Sequence, residues 1–410
     1  MFGAVLVIAA CVPAGRSPVV WPAPLPAVDG AWVCPATPLE PRYEPTLYVA
    51  LDGSDDRDGR SEETSFRTLQ RAADVARPGD VVWVRGGTYA ADLVVRRSGA
   101  SASPIVFESY PGECAVLDGS VPGAAGRVHL SGVQHVVFRN FVVRDMPAEG
   151  LFVVRSDRNT VAHLLVERSG QSGILVLDGS ENLISHVISR ANVDRPDGGD
   201  ADGIGIASGN ANRIDRCVVF ENSDDGVDTW RATNTLIDRC VSFDNGTLGG
   251  DGKGFKVGGG ERSGFTVVRS SVAFGNRSDG FDWNSGVDVL FEHNTAYGNG
   301  RYGFVAAGAT LIGNVALANV AGDFLPLGGR VQEEGNSWQA GAGALRVAST
   351  DPGHTQFLAL LEAPGVVSAV AAAPSLGSGE RVVGALPWGA TMASAIGASW
   401  WPNWRDAVGP

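Results

Sequence analysis

The 410-residue sequence lacks any apolar run of about 18 residues, the length that an ordinary membrane-spanning helix requires. It also lacks the motifs of several enzyme classes: a P-loop, a nucleophile elbow, an H-E-x-x-H helix and a paired C-x-x-C. Basic residues are in deficit, with 32 Lys and Arg against 45 Asp and Glu, so the net charge is −13. That balance argues against a nucleic-acid binder that works through a basic surface.

Glycine is the residue type in excess, at 55 of 410 positions, and it follows no G-X-Y period, which excludes collagen. Hydrophobic residues make up 44% of the chain, enough for a large core, and this argues against global disorder. The composition therefore indicates an acidic, turn-rich protein with a substantial interior.

Internal repetition is the strongest pattern in the chain. Segments rich in Val, Ile, Phe and Thr recur, and their closing residues are Asn192, Asn222, Asn245, Asn276 and Asn299. A second column has the form X-Gly-apolar, at Glu149, Ser172, Asp202, Asp225, Lys253, Asp279 and Tyr302. The shortest spacing, 23 residues, fits one coil of three short strands and is too short for helical repeats.

Stacked coils of this kind bury a continuous interior and pair every strand with the one above it. The sequence therefore predicts an all-β fold, a right-handed parallel β-helix of ten or more coils, over residues 46–325. Asparagines at one fixed turn position are expected to form a ladder of side-chain hydrogen bonds. Helical spacing over residues 68–76, ended by Pro78 and Gly79, predicts an N-terminal helical cap on the open end of the coils.

The remaining segments are interpreted from composition. Residues 1–11 resemble an export signal that ends in a bacterial lipoprotein cleavage box at Cys11, and the alternative is a plain apolar tail. Residues 12–45 are rich in proline and predict an extended linker. Residues 326–410 predict an irregular C-terminal segment packed on the outside of the helix.

The five cysteines are too few for a disulfide-built scaffold. Cys217 and Cys240 occupy equivalent repeat positions, and we favour stacked free thiols there over a bridge. A bridge between Cys34 and Cys114 is an unsupported alternative.

Four aspartates fall on two neighbouring coils in this register. Asp202 and Asp225 share a column, so they should lie about 5 Å apart. Asp224 adjoins Asp225, and Asp228 follows across the glycine turn. Carboxylates this close raise each other's pKa values, and a bound hard cation removes the conflict. Because the cluster holds only oxygen ligands, it predicts a Ca²⁺ site.

Lysines occupy the same two columns on the next coil, Lys253 after Asp225 and Lys256 after Asp228. A lysine one coil from a cation site has two interpretations. It is either a salt-bridge partner in a ladder of charges or a general base whose pKa is lowered by the cation.

Three segments carry a family resemblance: DGIGI at 202–206, NSDDGVDTWR at 222–231 and GKGFKVGG at 252–259. They resemble family nine polysaccharide lyases, the β-helical pectate lyases, and the likeness covers about residues 46–325. The resemblance implies that Asp202, Asp224, Asp225 and Asp228 are Ca²⁺ ligands and that Lys256 is the catalytic base. Lys253 is the weaker candidate for the base, because the G-F-K-V-G-G match centres on Lys256.

The implied reaction is Ca²⁺-dependent β-elimination on a polyuronate, with pectate (homogalacturonan) as the family default. Lys256 would remove the C5 proton, the C4 glycosidic oxygen would leave, and a 4,5-unsaturated sugar would remain. Rival interpretations are a β-helical glycoside hydrolase using Asp228 and Asp282, about 9.6 Å apart across two coils, a uronate epimerase, and a surface module that Ca²⁺ only braces.

Further residues near these columns are candidate contacts for the acidic polysaccharide, and each also has a structural interpretation as an ordinary surface or turn residue. They are Lys253, Arg231, Arg262, Arg277, Asp279, Asp282 and Arg301. The predicted partners are thus an acidic polysaccharide and no nucleic acid, with Cys11 as a candidate lipid anchor. The protein is expected to be monomeric and either secreted or a cell-surface lipoprotein.

Overall fold

Three long parallel sheets, named sheets I, II and III, form the fold. The computed structural model describes residues 43–260 and 263–340, together with 346–347 and 360–361. Each coil of the chain adds one strand to every sheet, and each strand pairs in parallel with its equivalents in the neighbouring coils. The predicted all-β parallel helix is therefore confirmed.

Sheet I is the longest of the three, with twelve strands: Leu47–Val49, Val81–Val84, Ile105–Ser109, Val136–Arg139, Thr160–Ala162, Leu183–Ser185, Arg213–Asp215, Leu236–Asp238, Val267–Arg269, Val289–Glu292, Ala309–Ile312 and Gln332–Glu334. Sheet II has ten: Asp92–Val95, Arg127–Ser131, Leu151–Val154, Ile174–Leu177, Ile204–Ala207, Val227–Thr229, Phe255–Val257, Phe281–Asp282, Tyr302–Ala306 and Gly322–Pro326. Sheet III has ten: Gly87–Ala90, Ala115–Asp118, Phe141–Arg144, Leu165–Glu167, Ile188–Arg190, Val218–Phe220, Val241–Phe243, Val272–Phe274, Thr295–Tyr297 and Val315–Leu317.

Two small strand pairs lie outside the three sheets. Gly209–Asn210 pairs in parallel with Ala232–Thr233, and Arg346–Val347 pairs antiparallel with Leu360–Leu361.

The interior is filled by columns of like residues, because each inward position stacks on its equivalent one coil away. Phe255, Phe281 and Phe304 are fully buried, and their ring centroids lie 4.9 Å and 4.7 Å apart along the stack. These phenylalanines line the inner side of sheet II. They fix the backbone that carries the candidate site on its outer side.

Asparagine ladders run inside three corners of the coil. The predicted ladder is confirmed and extends to one further residue: Asn192, Asn222, Asn245, Asn276, Asn299 and Asn319. Two more ladders were not predicted: Asn159, Asn182 and Asn212, and Asn294, Asn314 and Asn336. In each ladder a side-chain amide donates to the next amide oxygen, which satisfies polar groups that are buried in the core.

Replacing Asn182 with alanine should lower the free energy of unfolding by about 2–3 kcal/mol, since it leaves buried groups without partners. Its amide oxygen accepts from the backbone N–H and the side-chain amide of Asn159, at 3.0 and 3.1 Å. Denaturant unfolding measures the loss. Asn210, which is exposed, is the matched control, and its replacement by alanine should cost about 0.5 kcal/mol or less. Equal losses in the two variants would contradict the ladder's role.

A glycine stands immediately before, or within the first two residues of, every sheet II strand except Asp92–Val95, which follows Ala91. Steric crowding between coils explains these glycines. A Cβ at Gly203 would lie 2.7 Å from the carbonyl oxygen of Gly226, and one at Gly226 would lie 2.6 Å from that of Gly254. Any larger residue would force neighbouring coils apart. The residue before each glycine carries the side chains that differ between coils: Ser172, Asp202, Asp225, Lys253, Asp279 and Tyr302.

The helix Leu69–Val75 closes the N-terminal end of the coils, as predicted. Thr68 caps it by accepting a hydrogen bond from the backbone N–H of Arg71. Its apolar side packs against the first strands of sheets I and II, Leu47–Val49 and Asp92–Val95. The helix thus covers a sheet end that would otherwise be open.

The coils continue past the predicted end at residue 325. That position falls inside the strand Gly322–Pro326, and Gln332–Glu334 adds one more strand to sheet I. A 3-10 helix, Ser337–Ala340, follows. The predicted segment 1–11, residues 12–42 of the predicted linker 12–45, and nearly all of 341–410 lie outside the described residues. No helix within the described part is long and apolar enough to cross a membrane.

Cys217 and Cys240 are buried free thiols on adjacent coils, as predicted. The backbone N–H of Cys217 donates to Sγ of Cys240 at 3.4 Å. Cys114 is disulfide-bonded. The proposed pairing of Cys114 with Cys34, and the candidate anchor Cys11, involve residues outside the described part of the chain.

Candidate active site

The outer face of sheet II brings the predicted site residues into two adjacent columns. In the first column, Asp228 lies directly opposite Lys256 of the neighbouring strand, and Lys256 lies directly opposite Asp282 of the strand after it. In the second, the glycine N–H groups donate to the carbonyl oxygens of Asp225, Lys253 and Asp279 in successive coils, which stacks these residues on Asp202. The register read from the X-Gly spacing is therefore confirmed.

Three of the four predicted metal ligands converge. Asp202, Asp225 and Asp228 each offer a carboxylate oxygen, and these oxygens lie within 4.8 Å of one another. Asp225 is fully buried, and the Asp228 side chain is only 13% exposed. Asp228 Oδ1 is buried and accepts no hydrogen bond, and the buried Asp225 Oδ2 has only an ionic contact, with Lys256 Nζ.

Asp224 lies beside this group without being part of it. Its Oδ1 accepts the backbone N–H of Asp251, and a Cβ at Gly250 would lie 2.4 Å from the same oxygen. The loop that precedes Lys253 therefore packs directly on Asp224. This loop also contacts Gly198, so the two longest insertions between sheets III and II support each other.

Burial is the main cause of the raised pKa values of the carboxyl groups in this cluster. It raises the pKa of Asp225 to about 8 and that of Asp224 to about 6. Burial, reinforced by the charges of Asp228 and Asp225, raises the pKa of Asp202 well above its ordinary value. Without a further cation the site cannot hold all of its negative charge near neutral pH.

Lys256 is the nearest counter-charge. Its Nζ lies 3.1 Å from Asp225 Oδ2, 3.2 Å from Asp228 Oδ2 and 3.0 Å from Asp251 Oδ2. Burial acts to lower the pKa of Lys256, but these carboxylates outweigh it and raise that pKa above its ordinary value. The amine is therefore a charged ammonium in this arrangement.

Asp251 was missed by the sequence interpretation, because it lies in an inserted loop that the repeat does not align. Its carboxylate also lies 3.4 Å from Lys253 Nζ, and that amine is 2.6 Å from Asp282 Oδ2. One unused signal pointed to this site: Lys253 and Lys256 are the only lysines among 410 residues. Both primary side-chain amines of the sequence thus lie at this site, Lys256 on the strand Phe255–Val257 and Lys253 just before that strand begins.

The other candidate contacts are held by the protein itself. Arg301 lies 3.4 Å from Asp279 Oδ2, while Asp279 Oδ1 accepts the backbone N–H of Tyr302. Arg277 donates to the carbonyl oxygen of Gly250. Arg231 is exposed, its side chain beside Gly260, and Arg262 lies outside the described residues. None of these arginines that the structure describes joins the acidic group.

Known proteins resemble this chain in both sequence and structure. Pectate lyase PEL9 of Emericella nidulans is 28% identical over 342 residues, which cover 71% of this chain and 83% of that protein. Pectate lyase L of Dickeya chrysanthemi is 30% identical over 290 residues, 63% of this chain and 66% of that protein. The crystal structure of pectate lyase Pel9A has a TM-score of 0.72 at 25% identity, and the match covers 84% of this chain and 97% of that one.

A solved rhamnogalacturonan lyase shares the fold, with a TM-score of 0.65 at 23% identity, covering 75% of this chain and 91% of that one. The family model described as "Pel9A-like, right handed beta helix region" matches residues 47–318, about two thirds of the sequence, and that range contains the whole acidic cluster and both lysines. The chain belongs to the Pel9A-like right-handed β-helix family.

Proposed function

We propose that this protein cleaves a polyuronate by β-elimination, with Ca²⁺ held by the aspartate cluster and Lys256 as the base. Its family and its named relatives make it a polysaccharide lyase, and those relatives, pectate lyases, make pectate the favoured substrate. One observation carries the proposal: three largely buried carboxylates converge on the two coils that precede the only two lysines of the chain.

The donor set fits calcium. Asp202, Asp225 and Asp228 offer hard oxygen ligands and no nitrogen or sulfur, which favours Ca²⁺ over transition metals. The buried Asp228 Oδ1, which accepts no hydrogen bond, and the raised pKa values of Asp225 and Asp228 indicate that the cluster has too little positive charge around it. Asp224 is the fourth proposed ligand. A bound Ca²⁺ would draw negative charge from a substrate carboxylate and so make the adjacent C5 proton more acidic.

Lys256 can act as a base only when its amine is neutral. Two of its three carboxylate partners, Asp225 and Asp228, are proposed metal ligands. Once their charge is balanced by a cation, the force that raises the pKa of Lys256 weakens, and burial acts to lower it. The neutral amine then has a free electron pair that faces the site.

The proposed step balances without an added co-reactant. Nζ of Lys256 takes the C5 proton, and the C–H electron pair becomes the C4–C5 double bond. The bond from C4 to the glycosidic oxygen breaks, and that oxygen leaves with a proton from solvent, while Lys256 returns its proton to solvent. One chain becomes two, and the new non-reducing end is a 4,5-unsaturated uronate.

A panel of acidic polysaccharides, each with added Ca²⁺ or with a chelator, tests the proposal. We expect the ultraviolet absorbance of an unsaturated uronate to appear with pectate and only when Ca²⁺ is present. New reducing ends without that absorbance would indicate a hydrolase that uses Asp228 and Asp282. Changed sugar composition at constant chain length would indicate an epimerase. If no polymer changed, the remaining interpretation would be a surface module in which the ion only stabilises the coils.

A polymeric substrate cannot enter a cell unaided, so the proposed function requires action outside the cytoplasm. The predicted export signal in residues 1–11 and the candidate lipid anchor at Cys11 agree with this requirement. Both remain predictions, because they fall outside the described residues.

A further inference from the structure

Trp230 lies in the turn that directly follows the sheet II strand Val227–Thr229, close in sequence to Asp225 and Asp228 of the acidic cluster. It follows Asp228 by two residues, and the side chain between them, Thr229, is fully buried, as strand alternation requires. The indole is 46% exposed. Among the described residues only Trp230 and Phe265 are aromatic residues with this degree of exposure, and neither has a part in the proposed elimination step.

The neighbouring coil leaves space for the indole. Gly258, Gly259 and Gly260 follow the strand of Lys256, and all three have positive φ values. A Cβ at Gly259 would lie 2.6 Å from Cε3 of Trp230, so the six-membered ring rests directly against this glycine backbone. On the preceding coil the matching residue is the small Ala207, and Ser208 donates its backbone N–H to the Trp230 carbonyl oxygen. The ring is therefore supported from one side and open on the other.

We propose that Trp230 is the stacking surface for a sugar ring of the polysaccharide, adjacent to the ring held at Asp228 and Lys256. The inference rests on the proposed function and assigns a substrate-positioning residue within it. One face of a pyranose presents only C–H groups, and such a face packs on an exposed aromatic ring. Asp228 and Trp230 are two residues apart across the end of the strand, and two residues of extended chain span about 7 Å, so the indole would lie beside the reacting ring.

Charge beside the indole suits a uronate in particular. Arg231 follows Trp230 in the chain, is exposed and lies beside Gly260, so its guanidinium is available to a carboxylate on the stacked sugar. An indole has no proton to exchange near neutral pH. Trp230 should therefore govern how tightly the polymer is held and should leave the chemical step almost unchanged.

The test compares Trp230→Leu, which keeps apolar bulk, with Trp230→Phe, which keeps an aromatic face. Phe265→Ala is the control, because it removes the other exposed aromatic side chain. We expect Trp230→Leu to raise KM for pectate about 10-fold with kcat within about 2-fold, and Trp230→Phe to recover most of the loss. The control should match the parent protein.

A binding measurement distinguishes a failure of this inference from a failure of the proposed function. In a Lys256→Met background, calorimetry with a saturated oligogalacturonide should show about 10-fold weaker binding when Trp230→Leu is added. Unchanged KM and unchanged affinity in an active enzyme would overturn the stacking role alone. So would a loss of kcat accompanied by a lower Tm, since that is the signature of a packing role. If the parent protein is inactive on every uronan, the proposed function itself fails.

Discussion

Replacing Lys256 with methionine abolishes double-bond formation on pectate, by on the order of 10³-fold or more, because the variant has no group at this position that can take the C5 proton. Methionine keeps the apolar stem between the buried Phe255 and Val257, so the strand should be retained. The measurement is the initial rate of ultraviolet absorbance increase at saturating Ca²⁺ and substrate.

Lys253→Met is the matched comparison, because it removes the only other lysine from the same strand region. Lys253 is paired mainly with Asp282, at 2.6 Å, so its loss should weaken substrate binding more than it slows the chemistry. If Lys253→Met were inactive and Lys256→Met active, the base would be Lys253. Because no third lysine exists, mass spectrometry of amine-modified enzyme can assign any loss of activity to one of these two side chains or to the N-terminus.

Removing the metal is the second change with a large expected effect. Chelation should abolish activity and added Ca²⁺ should restore it, while Mg²⁺ should do so poorly because it sheds its water reluctantly. Ca²⁺ that binds only the folded state also raises Tm. The acidic cluster makes that rise depend on pH.

The direction of the pH effect follows from the raised pKa values. Burial holds the pKa of Asp224 at about 6 and that of Asp225 at about 8, above the values near 4 expected in an unfolded chain. These two carboxyls therefore bind more protons in the metal-free folded protein than in the unfolded chain, and their contribution to stability falls as pH rises from about 4 to 8. The pKa of Lys256 is raised from an already alkaline value, so it adds no slope in this range.

Thermal melts at pH 5 and pH 8, with chelator or with Ca²⁺, measure this effect. We expect the gain in Tm from Ca²⁺ to be several degrees larger at pH 8 than at pH 5. Asp225→Asn removes one titrating carboxylate and should flatten the decline in the metal-free protein. A gain from Ca²⁺ that is the same at both pH values and in both proteins would contradict a metal site built on Asp225.

The sequence was most informative where the fold repeats. The close approach of the next coil requires a glycine before the sheet II strands that carry the site, so the spacing of these glycines fixed the register of Asp202, Asp225 and Lys253. Asp228 and Lys256 then followed by counting three residues onward. Periodic residues obey a steric rule, and for that reason they could be aligned without coordinates.

No comparable steric rule fixes the positions of residues in the inserted loops. Asp251 reaches Lys256 from a loop of irregular length, and Asp224 is drawn toward that loop and away from its three neighbours. The contacts of exposed arginines are equally hard to predict, because such a long side chain can reach several different partners. Arg277 binds a backbone carbonyl and Arg301 pairs with Asp279, neither of which the repeat could indicate.

The glycine column has a consequence for how such enzymes diversify. The glycine meets the steric demand of stacking, but the side chain before it also supports the next coil: oxygens of Ser172, Asp202, Asp225 and Asp279 each accept a backbone N–H from that coil. Successive coils still display hydroxyl, carboxylate, amine and phenol groups at Ser172, Asp225, Lys253 and Tyr302 on an unchanged backbone. Mutational libraries confined to this column should therefore retain soluble expression best where the new side chain keeps an oxygen acceptor.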